Sequence, residues 1–287
     1  MMEHIREFYS FSAEVYPLLN EGGKAIRGVS SVKQVDVKSV VKKVREEFET
    51  YGVGGTLLKI GSAGLMPDVD PSGDIDFCWV VQGDKKTALA DLEAAIKKRW
   101  YDTKLNLGLE ILSVGFPWDG NTVQVDFIAA GDVSWAKFIY HAPNIKEGES
   151  RYKSAHRNWL FCAVLSVMRQ NERFDEDGEL LEWDGYSLRL QDGLFAVKKS
   201  RIGKKGILKN AKKESERLVT RSPKKFVEFV FGPGVDPEQV RTFEGAFDII
   251  KKKNFKLASK RDEILKKYKE FLVRAGLNAP SELKSII

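Results

Sequence analysis

Apolar residues recur at helical spacing from Asp36 to Thr50, where Val37, Val40, Val41, Val44 and Phe48 form one stripe, and again over 85–100, where Leu89, Leu92, Ile96 and Trp100 do. Asp36 and Asp84 stand where N-caps are expected. Between these two helices the run Thr56-Leu57-Leu58-Lys59-Ile60 reads as a buried strand, and Asp74-Ile75-Asp76-Phe77-Cys78-Trp79-Val80-Val81 as a second. Beyond the second helix, residues 107–116 and 123–128 are strand-like and flank the turn residues Asp119-Gly120-Asn121, which predicts an antiparallel hairpin. The order helix, strand, turn, strand, helix, hairpin predicts an α/β (α+β) fold with a mixed sheet covered by helices on one face. A doubly wound parallel sheet would not contain the hairpin.

The remainder of the chain changes rhythm twice. A helix is expected over about 150–170, with Tyr152, Lys153, His156 and Arg157 in its early turns and Leu160, Ala163, Val164 and Val167 as core. From Glu179 the pattern alternates, and Asp184-Gly185 and Asp192-Gly193 predict the turns of a small β-meander. Helices follow over 223–231, 237–252 and 260–275, with Phe226, Phe229, Phe243 and Phe247 spaced as core residues rather than as platforms for bases. Two domains are expected, 1–148 and 149–287.

The 287 residues are enough to bury a sizeable core. Cys78 and Cys162 lie in apolar runs and read as buried free thiols. The apolar run Trp159–Met168 is about half of what a bilayer requires, and the first residues lack a signal-peptide pattern. A cytoplasmic protein with no membrane partner is therefore expected. Charge is uneven: twelve Lys or Arg against two Glu lie between Lys198 and Lys225, a local excess of +10 in a chain whose net charge is +6. A solvated helix face and a polyanion-binding surface are the competing readings. Lys204, Lys205, Lys212 and Lys213 are the candidate nucleic-acid contacts.

Chemistry concentrates where the second strand begins. Because side chains alternate along a strand, Asp74 and Asp76 share one face while Ile75 and Phe77 turn to the other. Two aligned carboxylates repel unless a cation lies between them, and hard oxygen ligands suit Mg²⁺. Eleven residues upstream, Gly61-Ser62 ends the first strand in a turn that can offer backbone N–H groups and a hydroxyl to phosphate. A third acid, Asp126, alternates against Val125 and Phe127 on the hairpin. Asp68 and Asp70 make a rival pair, but Pro67 and Pro71 deny them a regular strand. The histidines His4, His141 and His156 have no zinc-ligand spacing, and no P-loop or Gly-x-Gly-x-x-Gly fingerprint is present. His141 reads as a turn residue and Trp118 as packing.

Gly-Ser, a variable loop, Asp-x-Asp and a distant third Asp together resemble the signature of the DNA polymerase beta nucleotidyltransferase superfamily, over roughly residues 36–165. That superfamily includes CCA-adding enzymes, poly(A) polymerases and oligoadenylate synthetases. The resemblance implies transfer of a nucleoside monophosphate from a nucleoside triphosphate such as ATP to an acceptor hydroxyl, with two Mg²⁺ ions for which Mn²⁺ can substitute. It implies that Asp74 and Asp76 hold both ions, that Asp126 completes one of them, and that Gly61 and Ser62 hold the triphosphate. A helix after the third carboxylate often supplies cations in that superfamily, which makes Lys153 and Arg157 candidates. The acceptor first in line is an RNA or tRNA 3′ end. A small molecule or protein hydroxyl, and a non-catalytic nucleic-acid-binding module of the same fold, are the alternatives.

Overall fold

The computed structural model describes residues 25–61, 63, 72–99, 102–140, 152, 154–203, 206–281 and 283. They form two compact units, one ending at Ser154 and the other beginning at Ala155. The fold is mixed α+β, with one sheet in each unit.

In the N-terminal unit α1 (Gln34–Thr50) precedes β1 (Thr56–Ile60) and β2 (Asp74–Val80). Then come α2 (Lys85–Ile96), β3 (Asp102–Asn106), β4 (Ile111–Trp118), β5 (Asn121–Ala130) and α3 (Val133–Ile139). The sheet order is β1-β2-β5-β4-β3. β2 runs parallel to β5, and every other neighbouring pair is antiparallel. The hairpin of β4 and β5 closes on Asp119-Gly120, both at positive φ, as a two-residue loop requires.

Burial explains the layering. Val37, Val40, Val44 and Phe48 of α1, with Leu89, Leu92 and Ile96 of α2, are buried in one cluster with Ile75, Phe77, Val125 and Phe127 of the sheet. The Phe48 ring stacks on Phe127 at 5.8 Å between centroids and meets Trp79 edge-on at 5.6 Å. Fully burying such a side chain stabilises the fold by roughly 1.5–3 kcal/mol. The alternate residues of β2 and β5, Asp74, Asp76, Gln124 and Asp126, consequently face the other way.

Local starts and stops differ from the sequence reading in several places. Asp84 caps α2, accepting from Thr87 N–H at 2.8 Å, but Asp36 lies inside the first turn of α1, whose N-cap is Lys33. β3 and α3 are additional elements; α3 is capped by Asp132, which accepts from Trp135 N–H at 2.7 Å.

The C-terminal unit opens with α4 (Ser154–Ser166), shorter than the expected 150–170 because the chain turns into β6 (Gln170–Phe174). β7 (Leu180–Arg189), β8 (Gly193–Gly203) and β9 (Gly206–Thr220) complete a meander in the order β6-β7-β8-β9. Asp184-Gly185 is not a turn: Asp184 pairs with Lys198 and Gly185 with Val197, so β7 runs straight through it. The basic stretch is chiefly the edge strand β9 rather than a helix face. After α5 (Pro223–Phe231), the expected helix over 237–252 is split into a 3-10 turn, Pro237–Val240, and α6 (Phe243–Lys251). Thr242 re-caps the chain there by accepting from Gly245 N–H at 3.2 Å. α7 (Arg261–Arg274) ends the regular structure. Phe226, Phe243 and Phe247 are buried here, as is Phe161, whose ring meets Phe226 edge-on at 5.3 Å. No helix among the described residues is long and apolar enough to cross a membrane.

Candidate metal centre

Asp74 and Asp76 head β2 and are half-buried, whereas Ile75 and Phe77 are fully buried on the opposite face. The strand's entry is fixed by Ser72, which exchanges two 2.8 Å backbone bonds with Val32 and donates from Oγ to the Asp74 carbonyl at 3.0 Å. Parallel pairing of β2 and β5 sets Asp76 directly beside Asp126, and Asp74 beside Gln124. One oxygen from each of Asp74, Asp76 and Asp126 lies within 4.8 Å of the others. At that separation and an effective dielectric of about 20, each pair of charges repels by about 3 kcal/mol. A divalent cation accepting all three oxygens reverses the sign of that energy, and an all-carboxylate donor set is the chemistry Mg²⁺ and Mn²⁺ take. The residues therefore fit such an ion.

Asp126 is the most enclosed of the three. Burial raises its pKa above the ordinary carboxylate value, while hydrogen bonds from Ser113 and Gln124 work in the opposite direction. Ser113 is its register partner on β4. Gln124 Nε2 donates to both Asp126 oxygens, at 3.2 and 3.0 Å.

Gly61 closes the site from β1. Its φ of 74° lies in the left-handed region, and a Cβ built there would overlap the Asp76 carboxylate, standing 2.9 Å from Cγ. Glycine is required on both counts. Behind it, the Lys59 ammonium donates to the carbonyls of Gly61, at 3.5 Å, and Ala63. Burial lowers the Lys59 pKa to about 8, with the Asp76 charge opposing that shift. Lys59, Gln124 and Ser113 were not among the residues singled out by motif. Their signal is faint but present: Gln124 stands two residues before Asp126, hence on the same strand face.

Ser62, Asp68, Asp70, Lys153, Lys204 and Lys205 lie outside the described residues. Arg157 is described, and it is fully buried within the C-terminal unit. Its guanidinium donates to the Arg241 carbonyl at 2.9 Å and to Asn158 Oδ1 at 3.1 and 3.3 Å, and it lies over the Phe161 ring. Burial lowers its pKa to about 9. A group so enclosed, with its donors spent on Arg241 and Asn158, is accounted for by packing. Of the lysines on β9, Lys212 is exposed, while Lys213 reaches Glu216 at 2.6 Å and Arg189 also pairs with Glu216. Lys199 is buried, and Arg201 pairs with Glu179 at 2.9 Å.

No known family model matches the chain, and no curated protein is similar enough to it to count as a relative.

Proposed function

We propose that this chain is a metal-dependent nucleotidyltransferase that transfers a nucleoside monophosphate from a nucleoside triphosphate to an acceptor hydroxyl, most simply the 3′ end of an RNA or tRNA. The observation that carries this reading is the convergence of Asp74, Asp76 and Asp126 within 4.8 Å beside the Gly61 turn. The Gly-Ser, Asp-x-Asp and third-Asp pattern, with its resemblance to the DNA polymerase beta superfamily, supports it further.

Two Mg²⁺ ions held by the three aspartates would neutralise charge on the attacking and leaving oxygens and lower the pKa of the acceptor hydroxyl. The chain's own residues do the rest. Asp126 lies on the enclosed side of the cluster, where a carboxylate can orient the acceptor hydroxyl and accept its proton as the oxygen attacks. The turn that begins at Gly61 would offer backbone N–H groups to the triphosphate, and Gly61, having no Cβ, leaves room beside Asp76. The hydroxyl oxygen bonds to the α-phosphorus as the bond to the bridging oxygen breaks, and pyrophosphate leaves.

The basic stretch favours a nucleic-acid acceptor, since Lys212 and Arg217 of β9, with Lys198 of β8 and Arg221, Lys224 and Lys225 beyond the strand, are exposed. A second reading, the same chemistry on a small-molecule or protein acceptor, gains from the pairing of Glu216 with Arg189 and Lys213 and from the burial of Lys199, which reduce the free cations. Charge reversal at Lys204, Lys205, Lys212 and Lys213 separates them. For an RNA enzyme the KM for RNA should rise at least tenfold and the salt dependence should become shallower, with the KM for the triphosphate unchanged. No change in RNA turnover would transfer the assignment to the second reading. The reaction itself is tested by following α-labelled nucleotide onto RNA with a free or a periodate-oxidised 3′ end. Label is expected only on the free end, and label on neither would remove the RNA acceptor.

A further inference from the structure

Gln124 is a wholly buried amide that touches the acidic cluster. Its orientation is set from outside the sheet. The Ile26 backbone N–H donates to Oε1 at 3.2 Å, so the oxygen end of the amide is committed and Nε2 faces Asp126. From there it donates to Oδ1 at 3.2 Å and Oδ2 at 3.0 Å, gripping both oxygens of one carboxylate. A carboxylate held at both oxygens has lost its freedom to turn about the bond to its Cβ. Ser113, from β4, bonds the same carboxylate. An apolar residue would fill this interior position without needing two satisfied polar ends, so packing alone does not account for a glutamine here.

We propose that Gln124 is a positioning residue, which through the chain Ile26–Gln124–Asp126 holds the Asp126 carboxylate turned toward Asp74 and Asp76 in readiness for a divalent cation. The proposal rests on the metal reading above and extends it to a residue outside the motif. Groups that orient metal ligands are commonly worth tenfold to a hundredfold in metal affinity.

The test is a cycle of Mn²⁺ titrations of the full chain, read by the electron paramagnetic resonance of free Mn²⁺, for the wild type, Gln124→Met, Asp126→Asn and the double variant. Melting temperatures in EDTA are recorded in parallel. The expected result is an affinity at least tenfold weaker for Gln124→Met in the wild-type background and no further loss when Gln124→Met is added to Asp126→Asn, because Asp126 is then no longer the ligand being held. Equal losses in both backgrounds would assign Gln124 a purely structural role and overturn the proposal. So would a Gln124→Met affinity equal to that of the wild type, which leaves the metal site standing without it. Absence of Mn²⁺ binding by the folded wild type would overturn the metal reading and this proposal with it. If Gln124→Met fails to fold, Ser113→Ala takes its place in the cycle, and an unchanged affinity there would count against positioning by these hydrogen bonds.

Discussion

Asp126→Asn is expected to reduce nucleotidyl transfer on the order of 10³-fold and, in EDTA, to raise the melting temperature of the protein. The two effects share a cause. The Asp126 carboxylate is buried beside Asp76 and near Asp74, and its pKa is raised by desolvation. For an acid with a raised folded-state pKa, the folded protein binds more protons than the unfolded chain between the unfolded value and the folded one. Stability is therefore fullest below that window and falls as pH rises through it. Asparagine is nearly isosteric, can still accept from Gln124 through its one amide oxygen, and carries no charge, so it removes the charge penalty at neutral pH. Relief of that penalty should raise the melting temperature by several degrees. Saturating Mg²⁺ should invert the order, because binding to the folded state stabilises the wild type more than the variant. Thermal melts from about pH 3 to about pH 8, with EDTA or Mg²⁺, check both halves. A variant less stable than the wild type in EDTA would mean that the carboxylate is not held at a cost.

Gly61→Ala should be nearly as damaging to activity, and here stability falls as well. The residue's φ of 74° strains any side chain, and the new Cβ would occupy the space of the Asp76 carboxylate. Either Asp76 swings away from the cluster or the turn moves outward. A displacement of about 1 Å at a reacting centre costs roughly 10² in turnover, and the strain costs about 1–3 kcal/mol of stability. Gly120→Ala is the control, because its φ of 72° is equally positive but nothing lies within 4 Å of its Cβ. It should lose stability by the strain alone and keep its activity. Comparable activity in both variants would show that the contact between Gly61 and Asp76 does not matter to turnover.

The acidic site was legible because strand alternation decides it. Ile75, Phe77, Val125 and Phe127 must be buried, and that forces Asp74, Asp76 and Asp126 onto the other face. What the sequence does not reveal is which strands are neighbours, so the parallel pairing that sets Asp76 beside Asp126 emerges only from the fold. Gln124 and Lys59 escaped for the same reason: a lone polar residue in an apolar strand reads as solvent-facing until its partners, Ile26, Asp126 and the carbonyls of the Gly61 turn, are known. The candidacy of Arg157 rests on the resemblance alone, and the sequence does not reveal that the Arg241 carbonyl and Asn158 hold its guanidinium inside. Asp184-Gly185 has the composition of a turn, yet the alternation around it continues unbroken, and ladder pairing prevails over local preference. The lysine-rich stretch over 206–220 has poor intrinsic strand propensity and forms an edge strand because β8 supplies the partner.

Whether Asp74, Asp76 and Asp126 hold the metal for nucleotidyl transfer is decided by one assay, pyrophosphate release from each of the four ribonucleoside triphosphates with Mg²⁺ or Mn²⁺. It is made with and without bulk RNA, with orthophosphate measured alongside. Metal-dependent pyrophosphate release, without matching orthophosphate, is expected, as is its loss in Asp74→Ala and Asp76→Ala. Orthophosphate release in place of pyrophosphate, or pyrophosphate release that survives both substitutions, would contradict that role for the aspartates.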